Sequence, residues 1–160
     1  SPSLPSSTTT VPIKAPPPTS PSPSPMTIPS PTPPPQPTVA VSPSIEKVFR
    51  EINEERKKVG APVLSLNGSL TKAAQSHAED MARRNYFSHI TPEGQTPAQR
   101  AVAAGYPTAM VAENIAYTSS SPVPLWMGSE GHRKNMLGSL WKSAGLGYDK
   151  KRWVLLLGPI

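Results

Sequence analysis

No cysteine occurs anywhere in the 160 residues. That excludes disulfides, thiolate metal sites and cysteine nucleophiles, and it leaves the redox compartment open. Aromatic side chains are scarce as well, at 6% of the chain with only two phenylalanines. Nucleic-acid binding calls for a concentrated basic patch interleaved with aromatics. Here the basic groups, such as Lys57-Lys58, Arg83-Arg84 and Lys150-Lys151-Arg152, are scattered. No apolar run reaches the length needed to span a bilayer. The formal net charge of +6 therefore reads as a solvated surface with some affinity for anionic polymers or membranes, with no nucleic-acid partner expected.

Charge is almost missing from residues 1–43, where Lys14 stands alone, and 16 of the 23 prolines fall in that stretch. A segment of Pro, Ser and Thr without large apolar groups cannot bury enough surface to offset its ordering entropy. Residues 1–43 are thus expected to form a disordered linker or stalk, serving as a spacer rather than as a PxxP ligand. Residues 44–160 are expected to form one domain with a modest core, most simply a monomer. No signal-peptide pattern is read within the 160 residues, and Ser1 could follow a processed one.

What is present beyond residue 43 has clear periodicity. Ile45, Val48, Phe49, Ile52 and Val59 line one face of a helix entered through Ser42-Pro43 and ended by Gly60 and Pro62. A second helix is expected from Ser69 to about Asn85, with Leu70, Ala73, Ala74, His77, Ala78 and Met81 on one side. Its alanines suit close packing, and His77 within the stripe reads as a hydrogen-bonded core or boundary residue. Thr96, Pro97 and Gln99 form a capping box, and Gly105 is a left-handed end for the helix that follows. Another short helix is expected from Ser121. "SAGLGYD" and "RWVLLLG" read as a hairpin closed at Asp149-Lys150-Lys151, with 111–117 as a third strand. The pattern points to α+β layers.

Four polar residues are not explained by this scaffold: His89, Glu113, Glu130 and His132. Glu113 sits in an apolar run, where a carboxylate is costly unless paired or facing a cavity. His132 lies after Gly131, which would permit a sharp turn. Two imidazoles and a carboxylate are a ligand set for Zn²⁺ with an open position, although no HExxH spacing is present. The alternative is three unrelated residues.

The series "HAEDMARRNYFSH", "TPAQRAVAAGY", "AENIAY", "LWMGSEGHRKNML" and "AGLGYD" resembles the CAP superfamily of cysteine-rich secretory, antigen 5 and pathogenesis-related proteins. It is most similar to the cysteine-free, bacterial SCP-like extracellular branch, from about Ile45 to Gly158. The resemblance implies a three-layer α-β-α sandwich with a central antiparallel sheet. It also implies a secreted or surface location and a cleft lined by two histidines and two acids that can hold a divalent metal such as zinc. His89, Glu113 and His132 fall on three of those positions. The fourth, an acid three residues after a tryptophan, is Ser129 here, with Glu130 beside it and rotated by roughly 100° if helical.

Two functions fit these observations. The domain could be a binding module for a lipid, glycan or protein ligand. It could instead be a metal-assisted hydrolase or protease, with His89 and His132 as ligands and Glu113 orienting water. A serine hydrolase using Ser88 or Ser129 lacks the G-x-S-x-G elbow. A purely structural role would be served by the same stalk.

Overall fold

The computed structural model describes residues 43–160; the stalk expected over 1–43 lies, apart from Pro43, outside the described residues. Nine elements follow in order: α1 (Pro43–Lys58), β1 (Ser65–Leu66), α2 (Gly68–Arg84), α3 (Pro97–Ala103), β2 (Ala112–Tyr117), α4 (Val123–Met127), α5 (Glu130–Leu137), β3 (Ser143–Asp149) and β4 (Arg152–Gly158). The strands form one sheet in the order β1-β3-β4-β2. β3, β4 and β2 are antiparallel, and β1 adds two residues in parallel at the far edge. β2 is therefore the opposite edge strand.

β4 shows why the sheet is covered on both faces. Trp153, Leu155 and Leu157 face one core with Val48, Ile52, Trp126 and Met136, from α1, α4 and α5. The alternate residues Val154 and Leu156 face a second core with Leu70, Ala74, Ala78, Met81 and Ala101, from α2 and α3. Side chains alternate across a strand, so an uninterrupted apolar run must be buried twice. Each fully buried leucine contributes about 1.5–3 kcal/mol of transfer free energy. The result is the expected α-β-α arrangement.

α2 lies directly on β3 at Gly145 and Gly147, with no β3 side chain between. A Cβ at Gly145 would fall 2.1 Å from the Leu70 carbonyl carbon, and one at Gly147 would fall 2.4 Å from that of Ala74. The alanine stripe of α2 thus meets a glycine groove on β3. The β3–β4 hairpin turns through Lys150 and Lys151, both at positive φ (42° and 69°), between the paired Asp149 and Arg152. Two positive-φ residues give the turn whose twist matches that of the strands.

Three local expectations are corrected. α2 begins one residue earlier than Ser69, at Gly68: Asn67 is its N-cap, its Oδ1 accepting from the Leu70 N–H at 3.1 Å. Val59 is exposed, because α1 ends at Lys58. Gly131 does not turn the chain, because it lies in the first turn of α5. There Glu130 meets the favourable end of the helix dipole, and it pairs with Lys134 one turn on at 2.8 Å. Among the described residues no helix is long and apolar enough to cross a membrane.

Candidate functional site

β2, the edge strand, carries the sequence Ala-Glu-Asn-Ile-Ala-Tyr, and its alternation divides the work of Glu113 and Asn114. Glu113 meets α3 and the segment that follows α2, whereas Asn114 meets α5. The Arg100 guanidinium of α3 clamps Glu113, with Nη1 donating to Oε2 at 2.8 Å and Nη2 to Oε1 at 3.2 Å. His89 Nδ1 lies 2.8 Å from the same Oε1. A carboxylate oxygen can only accept, so Nδ1 carries the hydrogen. Among the described residues no hydrogen bond reaches His89 Nε2, on a side chain 46% exposed, while that of Glu113 is 2% exposed. Arg100 Nη2 also donates to the His89 carbonyl at 2.7 Å, which fixes the backbone beneath the imidazole.

The second half of the site is held through Asn114, which is fully buried. Its Nδ2 donates to the His132 carbonyl at 2.8 Å, and its Oδ1 accepts from Asn135 Nδ2 at 3.0 Å. These bonds tie α5 to β2 and bring the His132 imidazole beside His89. Burial pushes His132 below the usual histidine range, and the neighbouring His89 pushes it the same way. Three separate elements thus bring His89, Glu113 and His132 together along one sheet edge.

Residues 49–153 match the cysteine-rich secretory protein (CAP) family. The chain belongs to the CAP family. Its CAP domain is 37% identical over 112 residues to the uncharacterised protein YkwD of Bacillus subtilis, covering 68% of this chain and 44% of that one. It is 34% identical over 102 residues to the uncharacterised membrane protein YlbC of the same organism, covering 62% and 30%. Among solved structures it resembles an extracellular SCP-domain protein of Bacillus anthracis, with a TM-score of 0.67 and 30% identity over 70% of this chain and 39% of that one. An outer surface protein of Borrelia burgdorferi shares the fold, with a TM-score of 0.68 and 20% identity over 75% and 95% of the two chains. The chain spans less than half the length of the curated relatives it matches.

Two further candidates lie at the start of α5 in this CAP domain. Glu130 is exposed and pairs with Lys134. Ser129 is the N-cap residue of α5, with no capping bond from its side chain. Ser88 Oγ accepts from the Ile90 N–H at 3.1 Å in a local turn, and only its carbonyl meets a histidine. That histidine is His77, whose Nε2 lies 2.8 Å from the Ser88 oxygen; it is a core residue, as its place in the α2 stripe suggests.

Sequence reasoning missed Arg100 and Asn135, which hold the two halves in place. The signal for Arg100 was an arginine beside the alanines of α3 with no acidic residue within one helical turn, which matches its burial against Glu113. The donor set of the CAP domain can also be tested against a metal. Among the described residues no three His, Asp or Glu side chains assemble to hold one. Glu113 has both oxygens engaged, leaving two imidazoles where a catalytic zinc takes three protein ligands.

Proposed function

We propose that this CAP domain is an extracellular binding module that acts without turnover, through the sheet edge formed by His89 and His132. The observation that carries this reading is the state of Glu113. Both its oxygens are engaged by Arg100 and His89, and a buried carboxylate so engaged orients an imidazole instead of activating water. His89 Nε2 is then a positioned hydrogen-bonding group at a surface edge, suited to a lipid, glycan or protein ligand. The extracellular placing draws on the SCP-domain neighbour of Bacillus anthracis, which is described as extracellular.

One observation favours the second reading, a metal-assisted hydrolase. A histidine whose Nδ1 is backed by a carboxylate presents Nε2 much as metal-ligating histidines do. The donor count argues against a catalytic metal. Elemental analysis of the chain purified without added metal or chelator is expected to find no stoichiometric zinc. A zinc titration is expected to give the same isotherm for the wild type and for His132→Ala. One zinc per chain, lost in His132→Ala, would replace the binding reading with the metal-dependent one. Retention on lipid vesicles or on insoluble glycan, lost in His89→Ala, would identify the ligand class.

A further inference from the structure

The face of α2 turned away from β3 borders an open groove of about 550 Å³, walled by α2, residues 91–95 and α3. Lys72, Ser76, Asp80, Thr91 and Gln95 line it, with Ala73, Ala103 and Ala104 as its apolar part. Two lining residues are deeply buried, His77 at 1% and Arg100 at 7% exposure. Each has one buried nitrogen without a hydrogen-bond partner among the described residues, His77 Nδ1 and Arg100 Nε.

The two nitrogens have opposite needs. His77 Nε2 meets the Ser88 carbonyl, which can only accept, so the hydrogen sits on Nε2 and the neutral ring leaves Nδ1 as an acceptor. Arg100 Nε–H is a donor whose sister nitrogens are committed to Glu113 and the His89 carbonyl. Leaving such buried groups unpaired is costly, so the arrangement calls for an occupant. A carboxylate has no hydrogen for Nδ1, and any anion would face Asp80 and Glu93. A cation would face Arg100 and Lys72, the latter outside the ion pairs that tie Arg83 and Arg84 to their acids. A hydroxyl donates and accepts at one atom. The volume falls in the range of small-molecule sites and exceeds what one water needs.

We propose that the α2–α3 groove is a second binding site, for an uncharged polyhydroxylated ligand of the saccharide class, read by His77 Nδ1 and Arg100 Nε. Arg100 joins the two sites, because its head group holds Glu113 and the His89 carbonyl while the residue also lines the groove. The proposal does not depend on the function of the sheet edge.

Nitrogen-15 spectra of the full chain, titrated with tri-N-acetylchitotriose and with maltotriose, test it. The expected result is saturable shifts of amides in α2, residues 91–95 and α3, together with a shift of the His77 Nδ1 resonance, for at least one sugar. Ser76→Trp, at an exposed groove position, should weaken that sugar by about tenfold or more with the fold intact. His77→Phe should weaken it as well. No saturable shift with either sugar would overturn the proposal and leave a buried water as the occupant. Shifts that persist in Ser76→Trp, or that inorganic phosphate reproduces, would also overturn it.

Discussion

Both oxygens of Glu113 are taken up by Arg100 and His89, on a side chain almost wholly withdrawn from solvent. Removing one member of such a buried pair leaves an uncompensated charge, which is far costlier than the net worth of the pair. Arg100→Ala is therefore expected to lower unfolding stability by about 3–5 kcal/mol. Glu113→Gln, which keeps the shape and removes the charge, still strands Arg100 and should fall in the same direction. Chemical denaturation of both variants, with a double-mutant cycle, would measure the coupling; additive effects would show that the clamp is not a unit. His89, Glu113 and His132 were legible because their short motifs resemble those of a family. Arg100 was not, since an arginine on a short alanine-rich helix ordinarily points to water, and its acid lies on a strand 13 residues away. Arg56 is a second such case. It sits one helical turn beyond Ile52, fully buried, and donates to the carbonyls of Pro62, Met136, Gly138 and Trp141.

At the scale of elements, α5 depends on β2 for the position it gives His132. Asn114 and Asn135 are the link, and Asn114→Ala removes an acceptor and a donor from a fully buried place. The expected loss is about 2 kcal/mol. The more specific outcome is that His132, freed from burial and from His89, titrates closer to the ordinary histidine range in proton NMR. An unchanged His132 titration would show that α5 holds its place without the asparagine. The long helices and the β3–β4 hairpin could be read from periodicity, because each repeats its pattern over several turns or residue pairs. β1 could not, since two residues carry no period and its pairing is parallel to a strand almost 80 residues later. α5 was obscured by Gly131 in its first turn and by an apolar stripe reduced to Met136 and Leu137.

At the scale of the whole molecule, buried imidazoles make stability depend on pH before any carboxylate does. Burial, with Arg100 next, pushes His77 below its ordinary 6.5, and burial pushes His132 in the same direction. In the unfolded chain both histidines titrate near 6.5. As pH falls through that value the unfolded state takes up protons that the folded state still refuses, so stability falls with falling pH. The loss from each histidine ends once pH passes below its folded value. Acidic groups act later. Hydrogen bonding from Arg84 brings Glu93 down to about 2, so its contribution is present above its unfolded value near 4.5 and is lost as pH falls through its folded range. Denaturation midpoints measured from neutral pH downward should thus decline in two stages. His77→Phe, which keeps an aromatic ring beside Tyr86, should flatten the first stage and leave the second. The slope against pH decides the matter, because the substitution can shift the overall level by packing alone. An unaltered first stage would mean that His77 takes up its proton at the same pH in the folded domain as in the unfolded chain, so that burial does not hold the ring neutral as pH falls.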